Sequence, residues 1–357
     1  MAGSGVTRCK SNGLLLAYVK GTIFAYGSGR RFVAMSVKAY LFDAQGVDHP
    51  EELHEGLAQS ISDKQLLWVN AADPSEEDLR QIAAALNIKE DVLDYAMSPT
   101  RHPRIETVDD YVSMTVMAPR EEGQHFKTTP LALVAGPNYV VALHNGTIDF
   151  LDNFDEQTRG DTKLGELDSG TFLVALLNRF LNSYFELLDD LGVEVDRLDE
   201  RALSNRKGHT FLNRIVQLRH QVSELRWILS PHRQIFATLA GPDFGKVAFV
   251  DSTADFAGLL DRMEKVLNGV EVTREMVIGS FEVYTTVTAH NTNRSVRVLT
   301  IITVVVGLSG VIAGAMGMNF TDWEFFHTGA FGFTVVVVGM VVLAVATLAV
   351  AKWRNLF

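Results

Sequence analysis

The sequence predicts an α+β membrane protein: a cytoplasmic α/β domain, then a long helical stalk, then two C-terminal transmembrane helices. Three observations carry that expectation. The first half alternates strand-like runs with helix starts. After Pro242, no proline interrupts a helical pattern that continues to Asn319. Two late runs, Val298–Met316 and Phe331–Ala351, contain no Asp, Glu, Lys or Arg.

Composition agrees with such a division. A mean hydropathy of +0.10 alongside 21% charged residues means that apolar and polar residues are segregated along the chain. The formal charge of −11 excludes nucleic acid as a partner, because that affinity rests on Lys and Arg neutralising phosphates. Cys9 is the only cysteine, so one chain can form neither a disulfide nor a thiolate zinc site. No HExxH, GxSxG or GxxxxGK[ST] occurs, which argues against an enzyme and against an ATP-driven device.

The elements follow in order. Residues 1–35 read as an extension of doubtful order, with Met35 as a natural start. Residues 36–165 form the α/β domain. Within it "VKAYLF" and "QLLWVN" are strands, and "DPSEEDLRQIAAAL" is a helix with Asp73 as N-cap and Pro74 at its first position. A short helix covers Lys89–Met97, and "SPTRHPRIE" breaks it as a basic turn. "DYVSMTVMAP", "HFKTTPLALVAG" and "NYVVALHNG" follow as strands. Residues 166–292 form the stalk, with a break at Pro231. Leu259, Met263, Val266 and Val270 are its packing positions. A helix over Ser252–Met318 would be about 100 Å long, more than a globular core accommodates.

Residues 293–319 and 331–351 each have the length that a hydrocarbon core requires. Arg294 and Arg297 precede the first span, and Lys352 and Arg354 follow the second, in the basic tail 352–357. The loop 320–330 has Asp322 and Glu324 but no Lys or Arg, so both termini are expected inside and the loop outside, in the periplasm. Two spans do not enclose a pathway in one copy; a pore needs a ring of chains. Asn293, Thr300 and Thr303 offer side-chain oxygens, which selects the first span for its lining. Gly307, Gly310, Gly314 and Gly317 leave narrow backbone surfaces that suit either a pore wall or close helix packing.

At this point the run "NRSVRVLTIITVVVGLSGVIAGAMGMNF", followed by a short loop, a second span and "KWRNLF", resembles the CorA/ZntB family of metal ion transporters. That resemblance implies a homopentameric funnel in the bacterial inner membrane, without a covalently bound cofactor, conducting hydrated Mg²⁺ and also Co²⁺ or Ni²⁺. Gly317, Met318 and Asn319 match the family signature, and the resemblance makes the Asn319 amide the selectivity ring. It places Glu282 as an acidic ring at the cytoplasmic end of the pore, Asn293 and Thr300 as polar lining, and Leu299 as an apolar constriction. Cytoplasmic ions bound between subunits act as regulators in the family, and Asp255, Asp261 and Glu264 lie in the corresponding part of the stalk. This chain departs from the magnesium branch in three places: Met316 precedes the signature, Leu308 replaces a proline, and the loop lacks Met-Pro-Glu-Leu. Asp322, Glu324 and His327 in that loop would attract ions, and the imidazole keeps Zn²⁺ as the alternative cargo. A cation sensor with the same fold but no transport is the remaining alternative.

Overall fold

The computed structural model describes residues 7–11, 14–19, 22–26, 37–100, 102–108, 111–122, 125–157, 168–203, 208–241, 244, 253–318 and 330–353. Strands β1 (Thr7–Ser11), β2 (Leu14–Val19) and β3 (Thr22–Tyr26) form a small antiparallel sheet of their own. The second sheet is built from β4 (Val37–Asp43), β5 (His49–Pro50), β6 (Gln65–Ala72), β7 (Arg104–Val108), β8 (Tyr111–Glu122), β9 (His125–Gly136) and β10 (Tyr139–His144). Its seven strands run in the order β5-β4-β6-β10-β9-β8-β7, antiparallel except for the central pair β6 and β10. Helices α1 (Leu57–Ser60), α2 (Glu76–Leu86) and α3 (Glu90–Met97) interleave with the strands, and α4 (Asp149–Gln157) follows them.

Both faces of this sheet are covered, which is why β6 and β10 read as continuous apolar runs rather than alternating ones. One face, including Leu67, Val69, Val141 and Leu143, packs with Ile82 and Leu86 of α2 and Leu93 of α3. On the other, Trp68 meets Phe154 of α4 edge-on and lies 5.4 Å from the ring of Phe172. Phe172 belongs to α5 (Ser169–Leu203), the first of the long helices, which continue as α6 (Gly208–Leu229), α7 (His232–Leu239), α8 (Thr253–Met316) and α9 (Ala330–Trp353).

Two local expectations need correction. The cap of α2 is Ser75, not Asp73: Ser75 and Asp78 form a reciprocal capping box. Asp73 instead sits at φ 52°, and its carboxylate accepts the Gly146 N–H at 2.9 Å. The turn expected over "TRHPRIE" ends early, because Arg104–Val108 pair with β8 as an edge strand. The Arg104 guanidinium lies over the Tyr95 ring and donates to the carbonyls of Tyr95 and Ala96, closing the end of α3.

Pro231 does break the helix, and the residue after it anchors the turn. His232 Nδ1–H donates to the Ile228 carbonyl, so Nε2 is free to accept the Met117 N–H at 2.9 Å. The Tyr184 hydroxyl donates to the Met117 carbonyl. These side chains finish a ladder that the strands leave open: β7 pairs only as far as Thr115, and Pro130, opposite Met117, has no N–H. Burial without a charged partner pushes the His232 imidazole down to about 4, and burial raises the Tyr184 phenol above its usual range.

The chain divides into two compact units, Met1–Glu194 with Val216–Met276 and Val195–Ile215 with Val277–Phe357. In the first, Leu259, Met263, Val266 and Val270 of α8 are buried as expected, alongside Leu188 of α5 and Leu218, Val222 and Leu225 of α6. Gly269 lets α8 approach α5 closely, since a Cβ there would stand 2.8 Å from Leu188 Cδ1. Ion pairs Arg226–Glu271 and Arg233–Glu264 tie α6 and α7 to α8 on its wet side. In the second unit, Phe211 stacks on Tyr284 at 4.6 Å, and α8 and α9 supply the two apolar spans.

Candidate ion-conducting face of the membrane helices

Along the membrane half of α8 only a narrow stripe is screened from solvent: Ile301 is buried, and Val298, Val305, Ser309 and Ile312 are partly so. Spacings of three and four residues place these on one face. On α9 a similar stripe runs through Gly332, Val336, Met340, Leu343, Ala344, Thr347 and Ala351. The remaining surface of both helices is open and mostly apolar. The fraction buried in their most apolar stretches is 0%, which is the opposite of a soluble core helix. Phe331 and Phe333 near one end of α9 and Trp353 at the other are exposed, where the polar borders of a bilayer would lie.

The expected lining residues fall on the far side of α8 from its screened stripe. At about 100° per residue, Glu282, Asn293, Thr300, Thr303, Gly307, Gly310 and Gly314 share an arc of roughly 100°, centred almost opposite Val305. Leu299 and Gly317 stand at its border, about 20° outside. Every one of these residues from Glu282 to Gly317 is exposed in the single chain. The two readings of the glycines can now be separated in part. A Cβ at Gly307, Gly310 or Gly314 would meet nothing within 4 Å, so they do not seat α9 of their own chain.

The hydroxyls on this arc are already committed as donors. Thr300 gives its proton to the Val296 carbonyl at 2.9 Å, and Thr303 to the Leu299 carbonyl at 2.8 Å. What each oxygen still offers outward is acceptor capacity. Thr292, which bonds Thr288 in the same way, and Val296 lie on the same arc. Neither residue stands out by type, although the helical period alone brings them beside Asn293 and Leu299.

At its C-terminal end α8 tightens: the Gly317 N–H is shared between the carbonyls of Ala313 and Gly314, and the Met318 N–H bonds to the Ala315 carbonyl. Asn319, Asp322, Glu324 and His327 lie outside the described residues. Of the stalk acids, Glu264 is held by Arg233 and Asp261 by Lys265 at 2.6 Å, while Asp255 falls in the first turn of α8. Among the described residues no three His, Cys, Asp or Glu side chains are grouped to hold a metal ion.

The family model for the CorA-like Mg²⁺ transporter protein matches residues 63–347. The chain belongs to that family. CorA-family members are transporters rather than enzymes, and membership makes this a membrane protein. A cobalt/magnesium transport protein CorA from Thermotoga maritima is 25% identical over 297 residues, covering 81% of this chain and 82% of its own. The Methanocaldococcus jannaschii protein of the same name is 22% identical over 264 residues, 73% of this chain and 82% of its own. The complete structure of the CorA magnesium transporter from Methanocaldococcus jannaschii superposes with a TM-score of 0.71 at 20% identity, over 90% of this chain and 98% of that one. The cytoplasmic domain of ZntB from Vibrio parahaemolyticus gives a TM-score of 0.56 at 7% identity, over 72% of this chain and all of that one. The expected architecture of an α/β sheet domain, long helices and two apolar C-terminal helices is therefore that of the CorA fold.

Proposed function

We propose that five copies surround a common axis with the polar arc of α8 facing it, and that the assembly conducts hydrated Mg²⁺, and also Co²⁺ or Ni²⁺, across a bacterial inner membrane. The observation that carries this reading is the opposition of two faces on one helix. The stripe screened by the chain itself lies on one side. The oxygens of Asn293, Thr300 and Thr303 and the bare backbone at Gly307, Gly310 and Gly314 lie on the other. In lipid an unfilled polar face is costly, so several such faces would turn toward one another and toward water. The basic residues flanking the spans support an orientation with both termini in the cytoplasm.

A hydrated divalent ion presents water hydrogens outward, and the arc answers with acceptors. Mg²⁺ releases its water reluctantly, so passage with the shell retained avoids most of the dehydration cost. At the outer mouth, a ring of Asn319 amide oxygens would hold that shell by neutral dipoles, whereas carboxylates there would bind too tightly for release. Leu299 narrows the path, Glu282 gathers cations at the cytoplasmic end, and Asp322, Glu324 and His327 gather them outside. The membrane potential supplies about 2.3 kcal/mol per charge per 100 mV, enough to drive uptake without ATP.

Both curated relatives carry cobalt and magnesium in their names, which favours Mg²⁺ over the Zn²⁺ alternative. Flux into proteoliposomes, measured separately for Mg²⁺ and Zn²⁺, decides the cargo. The expected result is Mg²⁺ entry that is largely lost in Asn319→Ala. Entry of Zn²⁺ alone would transfer the assignment to the zinc branch, and flux unchanged in Asn319→Ala would remove that amide from the mechanism.

A further inference from the structure

Three cations stand at the cytoplasmic ends of the membrane helices without a hydrogen-bond or ion-pair partner among the described residues: Arg294 and Arg297 on α8, and Lys352 on α9. Three cations of the stalk, Arg226, Arg233 and Lys265, each face a carboxylate, whereas Arg197 and Arg219 on the wet faces of α5 and α6 face none among the described residues. In a chain of net charge −11 acids are in surplus, yet among the described residues none pairs with Arg294, Arg297 or Lys352.

Their position on the helices is specific. Arg294 precedes Val298 by four residues and continues the screened stripe one turn toward the cytoplasm, while Arg297 stands between that stripe and the polar arc, about 40° from the edge of each, so both are off the arc. On α9, Ala351 is the last screened residue, and Lys352 and Trp353 follow it, the indole 84% exposed. Guanidinium groups pair with phosphate through two parallel hydrogen bonds, long basic side chains reach from a span to the headgroup layer, and an exposed indole settles at that depth.

Resting on the orientation given above, we propose that anionic phospholipid headgroups of the cytoplasmic leaflet occupy this collar as the counter-ions of Arg294, Arg297 and Lys352. A consequence follows for transport. Guanidinium charges left bare beside the inner mouth repel a divalent cation over about 8 Å at physiological salt, and headgroup phosphates cancel that field. Flux would then rise with the anionic lipid content of the membrane.

The test uses the full chain in nanodiscs of phosphatidylcholine with or without phosphatidylglycerol, with retained lipid read by native mass spectrometry. Wild type should retain phosphatidylglycerol in preference to phosphatidylcholine. The preference should weaken by about fivefold for each cation replaced in Arg294→Gln, Arg297→Gln and Lys352→Gln, roughly a hundredfold for the triple variant. Arg294→Lys with Arg297→Lys should keep most of it, which separates lost charge from a failed fold. A wild type without lipid preference overturns the proposal. So does a triple variant that keeps the preference, or one that keeps it while losing association between copies, which would assign the collar to a subunit contact. Because retention is read without any flux, a wild type that shows no phosphatidylglycerol preference, or a triple variant that keeps it, counts against the collar whether or not the protein conducts.

Discussion

The two halves of α8 follow opposite rules. Before about Met276 its apolar residues mark the inside: Met263, Val266 and Val270 are wholly buried, while charged neighbours such as Glu264 and Glu271 pair at the surface. Beyond Val298 apolar residues mark nothing, because nearly every side chain is apolar and most are exposed. There the informative residues are the small and polar ones. The difference comes from the solvent: in water the hydrophobic effect sorts side chains, whereas between lipid and protein it cannot.

The comparison can be broken at its strongest point first. Met263→Ala in the stalk should lower stability by about 2–5 kcal/mol, because a fully buried side chain leaves a cavity. Leu308→Ala in the membrane half, where the side chain is 43% exposed, should cost well under half of that. Thermal unfolding in detergent, read by circular dichroism, compares the two. Equal losses would mean that the membrane half is packed like a soluble core.

Acid provides the next effect. His232 is held neutral at a folded value of about 4 against 6.5, so the unfolded chain takes up its proton first. The stability conferred by the neutral ring is complete above pH 6.5 and drains away as pH falls through about 4, by roughly 3 kcal/mol. His232→Phe should be less stable at neutral pH but show a flatter profile across that window. An unchanged slope would remove His232 as its source.

Two glycines of the one helix sharpen the contrast further. Gly269→Ala should fail to give the gain of about 1 kcal/mol that alanine brings to an open helix position in water, since its Cβ would press on Leu188 Cδ1. Gly307→Ala should leave unfolding unaltered, its Cβ meeting nothing in the chain, and reduce flux instead. The smallest effect belongs to single hydroxyls. Thr300→Val removes one acceptor and keeps the shape, so flux should fall by about fivefold with no change in stability, whereas Val304→Thr should change neither.

How much of this was legible in the sequence differs between the halves for the same physical reason. Two charge-free runs announced the spans, and the period of Leu259, Met263, Val266 and Val270 announced the buried face of the stalk. The cap of α2 was not legible, because Asp73 and Ser75 are both capable caps. The choice is made by Gly146, 73 residues away, which engages Asp73. Edge strand β7 was hidden by the prolines before it, Pro99 and Pro103, and is held by pairing with β8 and by the reach of Arg104 to the end of α3. The bond from Met117 to His232 spans 115 residues and leaves no local trace. In the membrane half, residue types suggested the lining, but that Gly307, Gly310 and Gly314 do not seat α9 of their own chain was legible only from the structure.

The central claim is that one face of α8 borders water while its neighbours on the same helix border lipid or protein. Replacing Cys9 by Ser and then introducing single cysteines tests it directly, by labelling proteoliposomes with a charged, membrane-impermeant thiol reagent. Thr303→Cys and Gly310→Cys should react, and Mg²⁺ should slow the reaction. Ile302→Cys and Leu308→Cys, one or two residues away and off the arc, should not react. Equal labelling at all four positions, or labelling confined to the latter pair, would contradict the account.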